Sequence, residues 1–90
     1  MLSIAGFDPS AGAGVLADVK TMDQCGVHGL AVTSATTFQN EDQFDGISWV
    51  SFEAIEKQLI PLFRKYEVQV IKIGLIENLS ILEKLIFCIK

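Results

Sequence analysis

Cysteine and histidine are scarce: the 90-residue chain has two cysteines and one histidine. Cys25 and Cys88 fit no CxxC or Cys/His zinc spacing, and His28 has no cysteine or carboxylate at ligand spacing, so no metal centre is assigned. No base stands near either thiol in the sequence. Both read as small buried residues kept reduced in the cytosol rather than as nucleophiles, and His28 reads as structural. Positive charge is also scarce. Seven Lys and Arg stand against eleven Asp and Glu, for a net charge of −4. Without a basic stripe a nucleic-acid partner is disfavoured. No stretch comes near the roughly 18 apolar residues of a membrane span. The opening MLSIAGFDPS lacks the basic segment and long apolar core of a secretory leader, so the expected compartment is the cytoplasm. Glu41, Asp42 and Asp45 do not make a calcium loop. Counted from Asp42, an EF-hand would put Phe44 at a ligand position and Ile47 where the glycine belongs.

What is present is a globular composition, half hydrophobic and one-fifth charged. Residues 1–90 read as a single, partial α/β domain. A chain this small and apolar should expose apolar groups if it stands alone, and a homo-oligomer is compatible with that. Residues 2–5 form a short apolar run ending at Gly6, a buried strand. Residues 6–14 are a loop rich in turn chemistry. A helix is expected over residues 13–24, with Val15, Val19 and Met22 at helical spacing and Gly26 as its stop. Residues 30–37, rich in alanine and β-branched side chains, suit a second strand, followed by a polar acidic loop over residues 38–48. Phe38 and Trp49 flank that loop and read as core.

Ser51 can cap a helix from Phe52, with Glu53 favourable in its first turn and a kink or break near Ile60 imposed by Pro61. Residues 68–73 are a third strand closed by Gly74. Ser80 and Glu83 have capping-box spacing ahead of a last helix. The order βαβαβα implies a three-stranded parallel sheet.

In such sheets ligands bind beyond the carboxyl ends of the strands. Those ends feed residues 6–13, 38–48 and 74–79, where the unusual residues gather. In the first loop Gly6, Gly12 and Gly14 permit close approach of a ligand to the backbone, and a helix N-terminus attracts polar oxygens or anions. The spacing is neither GxGxxG nor Walker A, and a plain strand-to-helix turn accounts for it equally well. Asp8 can cap its own turn through Pro9 and Ser10. Asp18, on the side of the helix away from Val15, Val19 and Met22, reads as a solvated carboxylate. Gln39 follows the second strand directly. Its planar amide can pair with a heterocycle that shows a ring nitrogen beside an exocyclic amine, such as an aminopyrimidine; for a lone glutamine a plain surface amide is the commoner reading.

The segment Ala5-Gly6-Phe7-Asp8-Pro9-Ser10-Ala11-Gly12-Ala13-Gly14 closely resembles the AG-x-DPS-x-GAG signature of the hydroxymethylpyrimidine/phosphomethylpyrimidine kinase family. Leu16-Ala17-Asp18-Val19-Lys20-Thr21 resembles the segment that follows it. Thr36-Thr37-Phe38-Gln39-Asn40 is similar to the family's T-x-x-QN strand end, and Lys72-Ile73-Gly74-Leu75 to its K-x-G-M/L motif. Four motifs in order cover nearly the whole chain. The resemblance implies the N-terminal half of a ribokinase-like three-layer fold. It implies an enzyme of thiamine biosynthesis that uses ATP and Mg²⁺ to phosphorylate 4-amino-5-hydroxymethyl-2-methylpyrimidine and then its monophosphate. It makes Gln39 the partner of the aminopyrimidine edge and Ala13, with Gly12 and Gly14, the backbone wall of the pocket. Asp18 becomes a polar contact, Leu75 the residue packed on the ring, and Gly6 and Asp8 the shapers of the loop.

Family members are much longer, and their Gly-rich anion hole, catalytic residue and most of the ATP site lie in a C-terminal half that no segment here matches. The expectation is a truncated chain with no catalytic residue of its own, inert alone because phosphoryl transfer needs positioning and charge stabilisation together. The alternatives are a non-catalytic pyrimidine- or partner-binding module, a pyridoxal-type kinase fragment, and a remnant without function.

Overall fold

The computed structural model describes residues 1–89. Its elements are β1 (Leu2–Phe7), α1 (Gly14–Gln24), β2 (Leu30–Gln39), β3 (Phe44–Trp49), α2 (Phe52–Lys65), β4 (Ile71–Ile73) and α3 (Leu79–Ile89). The sheet has four strands in the order β3-β2-β1-β4, not three. β1 pairs in parallel with β2 and with β4, as the alternating pattern requires. The added strand is β3, antiparallel to β2, within the segment expected to be loop. Asn40 makes the turn: its Oδ1 accepts from the N–H groups of Asp42 and Gln43 at 2.8 and 2.9 Å. β3 is an edge strand with only Gly46, Ile47 and Trp49 half-buried. It carries little of the apolar alternation that marks a strand in sequence.

β1 supplies the core on both its faces. Leu2 and Ile4 join Val32 of β2 against Ile55 and Leu59 of α2 and Leu85 of α3, all at most 1 % exposed. Burying one such side chain is worth about 1.5–3 kcal/mol. On the alternate face Ser3 meets Asp18 of α1. Helices therefore cover the sheet on both faces, giving three layers.

α2 begins as read: Ser51 Oγ accepts from Ala54 N–H at 3.2 Å, Glu53 lies in the first turn, and Arg64 and Lys65 lie in the last. The break expected at Pro61 does not occur, and the helix runs on to Lys65. Pro61 and Lys57, the residue whose carbonyl it orphans, are both exposed, on the solvent side of a helix that Ile55 and Leu59 hold on the sheet. α3 is capped by Asn78, not Ser80: Asn78 Oδ1 accepts from Ile81 N–H at 3.0 Å. Its capping position lies two residues ahead of the one the Ser80–Glu83 spacing suggested.

Cys25 and Cys88 are exposed rather than buried. Phe38 is exposed too, on the outer side of the β2–β3 hairpin, while Trp49 is half-buried. The exposed ring of His28 stacks on that of Tyr66 with centroids 5.6 Å apart. Among the described residues no helix is long and apolar enough to cross a membrane.

Candidate substrate site at the strand ends

β2 and β4 flank β1 on opposite sides, and the helices that connect to them lie on opposite faces. A crevice therefore opens beyond the carboxyl ends of β1 and its neighbours, the position at which this class of sheet binds ligands. It holds a cavity of about 310 Å³. A larger hollow of about 620 Å³ lies in the groove between α2 and α3, among Phe52, Glu56, Lys84 and Phe87. That groove is lined only by residues of α2 and α3, and it gathers none of the motif residues. The smaller cavity is the candidate site, since it gathers Gly6, Asp8, Ala13, Gly14, Gln39 and Leu75.

One wall is the loop between β1 and α1. Asp8 is 6 % exposed and organises it. Its Oδ1 accepts from the N–H and Oγ of Ser10 at 2.9 and 2.7 Å, and its Oδ2 accepts from the N–H groups of Gly12 and Ala13, each at 3.2 Å. The Ser10 hydroxyl and amide, then the Ala13 and Gly12 amides, hold the Asp8 carboxyl below the usual carboxylate range against the opposing effect of burial. Asp8 thus caps its own turn ahead of α1, while Ala13 at the start of the helix offers no side-chain cap. The Gly12 and Ala13 amides are thus taken by Asp8, and α1 begins one residue later, at Gly14.

Gly14 has φ +72°, and a Cβ on it would lie 2.1 Å from the carbonyl oxygen of Gly6. Only glycine permits this contact between the start of α1 and the end of β1.

The opposite wall comes from β2 and the segment after β4. Thr37, Gln39, Gly74 and Leu75 line the cavity, as do Gly6, Asp8, Ala13 and Gly14 across from them. Gly74 donates its N–H to Ile4 O at 2.8 Å, and a Cβ on it would stand 3.0 Å from that of Ala5. Close apposition of these backbones sets the cavity floor. Thr37 Oγ1 donates to Phe7 O at 2.9 Å and accepts from Gln39 Nε2 at 2.8 Å. The single hydroxyl proton is committed to Phe7, so the group facing Thr37 must be the amide nitrogen. That choice leaves Gln39 with its carbonyl oxygen and one N–H for a ligand.

Two of the residues named from sequence stand elsewhere. Gly12 is spent on Asp8 and does not line the cavity. Asp18 does not line it either: its Oδ2 accepts from Ser3 Oγ and its Oδ1 from Lys72 Nζ, both at 2.7 Å. Burial opposes ionisation of Asp18, but the hydrogen bonds from Lys72 and Ser3 outweigh it and hold the carboxyl low. It is a paired group joining α1 to the sheet, not a solvated one. Lys72 does line the cavity and had no role assigned from sequence. The available signal was a lone charge inside the apolar run Val70-Ile71-Lys72-Ile73.

The architecture is that of the ribokinase-like kinases. The phosphomethylpyrimidine kinase of Clostridium difficile superposes with a TM-score of 0.89 at 32 % identity, over 98 % of this chain and 38 % of that one. The pyridoxal kinase of Staphylococcus aureus, solved with AMP-PCP and pyridoxal, gives 0.84 at 28 % identity, over 98 % and 33 %. The family model for phosphomethylpyrimidine kinase matches residues 8–90, and the chain belongs to that family. The hydroxymethylpyrimidine/phosphomethylpyrimidine kinase of Aquifex aeolicus is 37 % identical over 82 residues, 91 % of this chain and 32 % of the relative. That of Rhizobium meliloti is 40 % identical over 77 residues, 86 % and 29 %. The chain thus spans about a third of the length of these relatives.

Proposed function

We propose that this chain forms the substrate-binding wall of a kinase that phosphorylates 4-amino-5-hydroxymethyl-2-methylpyrimidine and its monophosphate. The observation that carries the reading is the Gln39 amide, oriented by Thr37 at a cavity whose far side is the Gly14 turn. Its carbonyl oxygen accepts from the exocyclic amine, its remaining N–H meets the ring nitrogen, and Leu75 packs on the ring. Ala13 and Gly14 form the close backbone wall, with Gly6 and Asp8 setting its shape. The same oxygen-and-nitrogen pattern discriminates sharply, since a ligand lacking the amine leaves a polar group unpaired.

ATP and Mg²⁺ belong to the reaction by family membership, and we read their main binding residues as lying outside this chain. Phosphoryl transfer needs positioning and neutralisation of the transferred group together, and no turnover is expected of the isolated chain.

Titrating the 90-residue chain with the aminopyrimidine by NMR tests the proposal. Saturable shifts at Gln39, Gly14 and Leu75 are expected, with the 4-desamino analogue bound at least tenfold more weakly. Equal binding of the two ligands, or none, overturns it. The likeness to a pyridoxal kinase makes pyridoxal the informative competitor: tighter binding of pyridoxal would favour that ring instead.

A further inference from the structure

β2 does not keep one register along β1. Ala5 pairs with Thr33, yet Gly6 pairs with Ala35, so Ser34 is an extra residue. Ser34 and Ala35, although successive, are both buried, as expected where a bulge interrupts the alternation. A slip of one residue transfers everything beyond it to the other face of the sheet. Thr37 and Gln39 therefore project from the opposite face to the one that an unbroken strand through Thr33 would give them.

The bulge is held from outside the sheet. Gln58, on α2, donates from Nε2 to Thr33 O and accepts at Oε1 from Thr33 N–H, both at 2.9 Å. It pairs with Thr33 as a neighbouring strand would, just beyond the point where β3 stops at Trp49 opposite Ala35. Two further bonds fix Ser34. Its carbonyl accepts from Val50 N–H at 2.9 Å, and its hydroxyl donates to Leu75 O. The latter ties the bulge to a residue of the cavity wall.

We propose that Gln58 is a positioning residue for the site: its two-bond clamp on Thr33 fixes the Ser34 bulge and so aims Thr37 and Gln39 into the cavity. Gln58 touches no ligand. Its role is to hold the register that decides which face of β2 the reading amide occupies. A single apolar side chain at this point leaves the Thr33 N–H and C=O without partners and lets the strand relax toward regular pairing. The functional readout rests on the aminopyrimidine reading above, but the positioning claim is measured separately.

The test compares Gln58→Leu, Gln58→Glu and Ile55→Val in the 90-residue chain by NMR, with 4-amino-5-hydroxymethyl-2-methylpyrimidine as the probe. Ile55 is a core residue of the same helix, so its variant loosens α2 without touching Thr33. Gln58→Leu is expected to shift the Gln39 side-chain amide resonances, speed hydrogen exchange at Thr33, and weaken ligand binding about tenfold. Gln58→Glu keeps the acceptor for the Thr33 N–H and should fall between. Ile55→Val should lose stability and keep both the Gln39 resonances and the affinity. Unchanged Gln39 resonances in Gln58→Leu, or an equal loss of affinity in Ile55→Val, overturns the proposal. If the wild-type chain takes up no pyrimidine, the functional reading fails, and the Gln39 and Thr33 signals still decide the role of Gln58.

Discussion

Gln39 and Thr37, two residues apart on one strand, are joined by a 2.8 Å hydrogen bond from the Gln39 amide nitrogen to a hydroxyl whose own proton is already given to Phe7. The strand end thus presents its amide in one orientation. Thr37→Val keeps the shape of the side chain but removes both bonds, allowing the amide to flip. Aminopyrimidine binding by the chain should weaken about five- to tenfold, while Gln39→Ala should weaken it further. Calorimetric titration of both variants checks the order, and equal affinities for wild type and Thr37→Val would show that the hydroxyl does not orient the amide.

Gly14 carries the tightest contact in the site. Gly14→Ala brings a methyl group within 2.1 Å of Gly6 O at a φ of +72°, so either the turn or the start of α1 must shift. A loss of about 3 kcal/mol or more is expected from urea unfolding, together with loss of the cavity wall.

Acid should unfold the protein through two carboxylates. Asp8 and Asp18 both have folded pKa values below their ordinary value. A depressed pKa means that the unfolded state takes up protons first, so the stability these groups contribute is complete above the unfolded pKa of about 3.9. It is lost as pH falls through the lower folded values. Urea midpoints should stay level from neutral pH to about pH 5 and drop below about pH 4. Asp8→Asn should flatten part of that drop, since an amide does not change its charge.

Leu85 and Phe87 stand on the same helix with opposite surroundings, Leu85 at 0 % exposure and Phe87 at 84 %. Leu85→Ala should cost about 2–5 kcal/mol through a cavity beneath α3. Phe87→Ser should change stability by no more than about 0.5 kcal/mol. Thermal melts of the two variants test whether the core lies on the Leu85 side.

Alternating strands and helices, the parallel pairing of β2 with β1, the glycine turn after β1 and the caps at Asp8 and Ser51 were all legible in the sequence. Each depends on residues close together in the chain: apolar periodicity, a carboxylate two to five residues from the amides it binds, a serine three residues from its N–H. The place of Gln39 at the carboxyl end of β2 was legible to within two residues of the expected strand end.

What needed tertiary structure were relationships between distant segments. β3 is a strand only because β2 offers it a ladder. Pro61 is tolerated only because its helix is already held on the sheet. Asp18 reaches across 54 residues to Lys72, and the Ser34 bulge exists because Gln58, Val50 and Leu75 meet there. Local propensity and short hydrogen bonds are written along the chain, whereas register, face and charge pairing arise only when separate segments compete for the same partners.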